Sequence, residues 1–198
     1  YDSERRILTY EEFIKSKEEK EKEKLFQNYK KFYNGEGVPV DMKEASRYCK
    51  LAADKGHIEA MNNYGVMLKE GQGVPINDEE ACRYFKMAAD KGDAEGMCSY
   101  GVMLFEGRGV PVNKEEACRY FKMAADKGDA RGMFGYGVML FNGYGVPVNK
   151  EEACRYFKMA ADKGDARGMF GYGVMLFNGY GVPVNKEEAC RYFKMAAD

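Results

Sequence analysis

The chain has 198 residues, 45% apolar and 32% charged, a balance that supports a folded core and excludes a disordered polar tail. Lys and Arg number 31 against 32 Asp and Glu, a net charge of −1, which excludes the strong basic field of a nucleic-acid binder or of a protein steered to an anionic membrane. The longest apolar stretch, around Met133 to Phe141, is about half of the ~20 residues that a membrane-spanning helix needs.

The chain opens with "YDSERRILTYEEFIKSKEEKEKEK", in which Thr9 and Glu12 have capping-box spacing and Ile7, Leu8, Tyr10, Phe13 and Ile14 form a short apolar cluster. Lys15 to Lys24 is almost wholly charged and reads as an exposed helix or a linker, so residues 1–23 are set apart as an N-terminal helix or charged linker. The first residue is Tyr1 rather than Met and no signal peptide is visible, which leads us to expect a fragment or a processed chain.

Residues 24–198 are a repeat. Ala45, Ala81, Ala117, Ala153 and Ala189 recur every 36 positions, and so do Pro39, Pro75, Pro111, Pro147 and Pro183, the only 5 prolines. Residues 115–150 and 151–186 are identical, and 79–114 differ from them at a few positions, such as Glu95 for Arg131 and Cys98 for Phe134. The units run over about 24–57, 58–93, 94–129, 130–165 and 166–198; the first is degenerate, with Tyr29 where later units have Gly65 and Gly101. An end unit with one neighbour is released from the close-packing rule.

Each unit predicts two helices and no strand. Asn113 before "KEEACRYFKMAADKG" is an N-cap with Glu116 three residues on, and Ala117, Tyr120, Phe121 and Ala124 mark one face before Gly128 stops the helix. Asp129 then caps "ARGMFGYGVMLFN", which Gly143 ends. Gly132, Gly135 and Gly137 each cost roughly 1 kcal/mol in a helix interior, a cost that makes sense only where neighbours approach closely on two faces. We therefore expect this second type to be the inner helix of a stacked array. The loop "NGYGVPVNK" has the Gly-x-Gly look of a phosphate cradle, but it follows a helix, lacks Lys-Ser/Thr and recurs in every repeat, so it is read as a turn.

The unit resembles the Sel-1-like repeat, a relative of the tetratricopeptide repeat. The matching positions are Ala130, Tyr136, Gly137, Leu140, Gly143, Gly145 and Val146, then Ala153, Tyr156, Phe157, Ala160, Ala161 and Gly164. The sequence departs from the family pattern where the aromatic and the Leu of the first helix are exchanged, and where Tyr-Phe replaces Trp-Tyr. The resemblance implies an all-α, right-handed α-solenoid of about five antiparallel helix hairpins that binds other proteins in its concave groove. A secreted branch of the family pairs two cysteines within each repeat, and some of its members are linked to β-lactam binding. That pairing is missing here, where Cys82, Cys118, Cys154 and Cys190 hold one equivalent place, so unpaired cysteines and a cytoplasmic location are expected.

No catalytic residue, cofactor or metal ligand set is expected. His57 is the only histidine and reads as a surface turn residue, and Glu115 and Glu116 recur in a first helical turn, where they favour the dipole and cap. Candidate partner-binding residues lie on or after the inner helix: Arg131, Arg167, Asn142, Asn178, Tyr144, Tyr180, Phe134 and Phe170, with the two phenylalanines read first as packing and second as anchors. The preceding repeat holds Glu95, Glu106 and Arg108 there, so charge changes along the groove. The leading function is a non-enzymatic scaffold or adaptor for partner proteins, with no nucleic acid and no membrane. A regulatory or substrate-recruiting arm of an enzyme whose catalytic domain lies upstream of residue 1 is the alternative. The sequence stops at Asp198 before another inner helix, so we also expect continuation beyond it, and end-to-end association of this segment through its last hairpin.

Overall fold

A computed structural model describes residues 2–197 and the side chains of residues 9–197; Ile7 and Leu8 of the expected apolar cluster lie outside the described side chains. The described residues form ten α-helices and no strand: α1 (Asp2–Asn34), α2 (Met42–Asp54), α3 (Ile58–Glu70), α4 (Asp78–Asp90), α5 (Ala94–Glu106), α6 (Lys114–Asp126), α7 (Ala130–Asn142), α8 (Lys150–Asp162), α9 (Ala166–Asn178) and α10 (Lys186–Ala197). They fall into two compact units, residues 1–87 and 88–198.

In the first unit α1 is one helix of 33 residues, so Thr9 lies inside it and does not cap it. No Gly or Pro precedes Gly35, and the charge run supports itself through neighbours on the helix surface. Lys22 pairs with Glu19 at 2.5 Å and Gln27 donates to Glu23 at 2.6 Å, spacings that favour helix over linker. His57 is a second correction. It is not a free surface residue: its ring stacks on Phe26 of α1 with centroids 4.1 Å apart, and its side chain is only 13% exposed. Its Nδ1 accepts the Ala60 N–H at 3.2 Å as the N-cap of α3, while Nε2 lies 3.3 Å from Glu23.

The second unit shows why the repeat folds as it does. Each outer helix starts at Asn: Glu116 N–H donates to Asn113 Oδ1 at 3.0 Å, and Glu152 N–H to Asn149 Oδ1 at 3.0 Å. The reciprocal half of the expected capping box is rewired. The Asn113 N–H donates to the Leu104 carbonyl at 2.9 Å, so Glu116 receives the Asn113 side-chain amide instead, at 3.2 Å. That backbone bond ties each outer helix to the end of the inner helix before it. Each inner helix starts at Asp, whose carboxylate accepts from Gly96, Gly132 or Gly168 at 2.6, 2.7 and 2.9 Å.

The inner-helix glycines stand where an outer helix leaves no room. A Cβ on Gly132 would lie 2.5 Å from the Ala124 Cβ, and one on Gly137 would lie 2.8 Å from the Phe157 ring. Thus α7 is pressed by α6 on one side and α8 on the other, as its two apolar faces require. Tyrosines knit the same contacts: Tyr100–Tyr120, Tyr136–Tyr156 and Tyr172–Tyr192 meet edge to face at 4.8, 4.7 and 4.8 Å. Both glycines of the Gly-x-Gly turn have positive φ, +72° at Gly143 and +68° at Gly145. Gly143 caps α7 and Gly145 lets the loop lie on the first turn of α6, where a Cβ would come within 2.5 Å of the Lys114 carbonyl. The motif turns a corner and packs against a helix end.

Candidate functional site

In the second unit the inner helices α5, α7 and α9 lie side by side, α7 between the other two. Glu95, Arg131 and Arg167 occupy equivalent positions in the first turn of successive inner helices, and Arg131 reaches back to Glu95 at 3.0 Å. Arg167 is held by Asp165 at 2.7 Å, and its guanidinium lies over the Phe134 ring, 5.1 Å from the centroid. This change of charge from α5 to α7 and α9 tunes the capping carboxylates. Burial pushes Asp93 up, and Glu95 adds to the shift against the Gly96 N–H. Burial pushes Asp165 the same way, but the Arg167 pair and the Gly168 N–H overcome it and hold that carboxyl below its ordinary value.

Between α5 and α7 a pocket of about 150 Å³ opens on this face, with Cys98, Val102 and Phe121 in its wall and Arg131 and Arg167 beside it. Phe134 separates it from a wider cleft of about 530 Å³, which Phe170, Phe193 and Ala196 line. Phe170 is 58% exposed. Four of the eight residues singled out in the sequence, Arg131, Arg167, Phe134 and Phe170, are therefore brought together.

The other four are at the loop ends of the same helices and bond within the chain. Asn142 and Asn178 donate their amides to the Val138 and Val174 carbonyls at 2.9 and 3.0 Å, closing the last turns of α7 and α9. Tyr144 packs on Phe105 at 5.5 Å under the Lys114 ammonium at 4.3 Å, and Tyr180 repeats this with Phe141 and Lys150 at 5.6 and 4.3 Å. Each tyrosine so joins one repeat to the one before it. Cys98 and Val102 were not singled out as site residues, although the Cys98-for-Phe134 exchange was the signal for them.

All six cysteines are unpaired, and five are buried. Burial pushes the Cys98 thiol up to about 12 and Cys82 up to about 11, so both are neutral thiols near pH 7 and poor nucleophiles. No group of three or more His, Cys, Asp or Glu suited to a metal ion exists among the described residues, and no helix among them is long and apolar enough to cross a membrane.

Antiparallel helix pairs stacked through glycine-relieved contacts define an α-solenoid of the tetratricopeptide-like class. The Sel1 repeat family profile matches residues 32–57, 58–93, 94–129, 130–165 and 166–198, and the chain belongs to that family. The family consists in general of protein–protein interaction modules. The chain is similar to c5321, a protective antigen of uropathogenic Escherichia coli strains with an SLR fold, at 31% identity and a TM-score of 0.81 over 89% of this chain; it spans only 38% of that protein. It also resembles a Sel1 repeat protein from Oxalobacter formigenes, at 26% identity and a TM-score of 0.80, covering 90% of this chain and 74% of the other. Immunity protein Pa5087 from Pseudomonas aeruginosa shares the fold, with 18% identity and a TM-score of 0.61 over 89% of this chain and 65% of the other. No curated protein matches.

Proposed function

We propose that this chain is a non-catalytic scaffold that holds a segment of a partner protein against the face formed by α5, α7 and α9. One observation carries the reading: on this face α5 differs from α7 and α9, which are identical, whereas the outer helices α6, α8 and α10 agree throughout. "ACRYFKMAAD" is unchanged at 81–90, 117–126, 153–162 and 189–198, whereas 94–129 and 130–165 differ only at the pairs 95/131, 98/134, 99/135, 106/142 and 108/144. All five pairs fall on the inner helix or the loop after it. Packing alone would hold the inner face as constant as the outer one, and a mosaic of Glu95, Arg131, Arg167 and Phe170 is what reading a particular partner requires. The six unpaired cysteines support a reducing, cytoplasmic setting.

The reading is tested by selecting peptides from a displayed random library on the immobilised chain and measuring their affinities for charge-reversal variants. Arg167→Glu is expected to weaken selected peptides by about tenfold or more, the order of a desolvated interface charge. Arg155→Glu, on the exposed side of outer helix α8, is expected to leave them within about twofold, as a rim or remote charge does. Equal losses in the two variants would contradict the assignment of the face.

A further inference from the structure

The pocket beside Cys98 is a missing ring. In the two later repeats the inner helix lays a phenylalanine against the phenylalanine of the next outer helix, Phe134 on Phe157 at 5.7 Å and Phe170 on Phe193 at 5.5 Å. At the equivalent place on α5 stands Cys98, opposite Phe121, and the space that a phenyl group would fill is open to the face. Its volume, about 150 Å³, matches that of an engineered apolar cavity known to take up benzene. The charge next to it is also waiting for a ring. Arg167 lies over Phe134, whereas Arg131, its counterpart one repeat earlier, has no ring at position 98 and turns to Glu95.

We propose that this pocket receives a phenylalanine side chain of the partner segment, which takes the place that Phe134 fills in the next repeat and lies under the Arg131 guanidinium. This rests on the reading of the α5–α7–α9 face as the binding face, and it names the chemistry that is bound. The choice of an aromatic follows from charge complementarity. The walls are apolar, and both cations at the rim are already paired, Arg131 with Glu95 and Arg167 with Asp165, so a further carboxylate would find no uncompensated positive charge. The negative face of a neutral ring complements a guanidinium without adding charge. An aliphatic side chain would fill the volume and forgo that attraction.

The test uses methyl-labelled protein of residues 1–198 titrated with N-acetyl-phenylalaninamide and, separately, N-acetyl-leucinamide. Saturable shifts are expected at the Val102, Val138 and Met139 methyls, all of which line the pocket, with the leucine probe weaker by about threefold or more. Cys98→Phe, which copies the residue already tolerated at 134 and 170, is expected to fill the pocket, weaken the phenylalanine probe more than about tenfold and raise the melting temperature by about 2–4 °C. Arg131→Ala is expected to keep binding and abolish the preference for phenylalanine over leucine. Absence of saturable shifts in the unmodified chain, unchanged binding in Cys98→Phe, or a preference that survives Arg131→Ala would each overturn the proposal. Selected peptides that need Arg167 but bind Cys98→Phe equally well would overturn the pocket assignment and leave the binding face standing.

Discussion

Phe157→Ala is expected to destabilise the chain by about 3–5 kcal/mol, the range for removing a fully packed core aromatic. Phe157 is 5% exposed, and its ring is the surface on which Gly137 and Gly171 close and against which Phe134 rests. The identical sequence one repeat later supplies the control. Phe193 meets Gly173 and Phe170 in the same way but is only half-buried, because among the described residues α10 packs extensively on α9 only. Phe193→Ala is therefore expected to cost about 1–2 kcal/mol, the transfer energy of a partly buried ring with little cavity left behind. Urea unfolding followed by helical circular dichroism measures both, and equal costs would show that the second neighbour adds nothing. Because stacked repeats uncouple when an interface weakens, Phe157→Ala is also expected to broaden the transition or split it.

Gly145→Ala is expected to cost about 3 kcal/mol and Gly164→Ala about 1 kcal/mol, although both remove a glycine with positive φ. The left-handed conformation itself costs an L-residue roughly 1–2 kcal/mol, which applies to both, at φ +68° and +85°. The difference is the neighbour. A Cβ at 145 would press on backbone, 2.5 Å from the Lys114 carbonyl and 2.6 Å from the Glu115 Cα, whereas a Cβ at 164 would meet nothing within 4 Å. A helix end pinned by the Asn113 cap and the bond to Leu104 cannot yield as a flexible side chain would. If the two variants unfold at the same urea concentration, the loop does not need its second glycine for close approach.

Most of the fold was legible because the repeat presented the same evidence several times. The Asn and Asp caps, the Gly143 stop and the two-sided apolar pattern of the inner helix each report a local backbone requirement, and local requirements show in sequence. What was misread depends on contacts far apart in the chain. His57 was taken for a surface turn because the ring that covers it, Phe26, lies on another helix. Thr9 and Glu12 had the spacing of a cap, but the helix runs through them, since a cap needs a chain that ends there. Glu116 was rightly placed at a helix start, yet its partner changed because the Asn113 N–H was already taken by Leu104.

The candidate site was half legible for a related reason. Arg131 and Arg167 were chosen as inner-helix charges that packing does not need, Phe134 and Phe170 were read first as packing and second as anchors, and the structure groups all four. Tyr144 and Asn142 were chosen on the same ground as the arginines and are spent within the chain, on Phe105 and on the Val138 carbonyl. The pocket itself is an absence of side chain at Cys98, visible only against the ring that Phe134 supplies next door.

The central claim, that partners are held on the inner-helix face, is tested most directly by methyl shift mapping with a library-selected peptide bound to the chain. Valines report that face: Val102, Val138 and Val174 stand half-buried on α5, α7 and α9. Met123 and Met159, 39% and 43% exposed, report the outer helices α6 and α8. Large shifts at the three valines with Met123 and Met159 unmoved are the predicted result. Shifts concentrated at Met123 and Met159, with the valines silent, would contradict it.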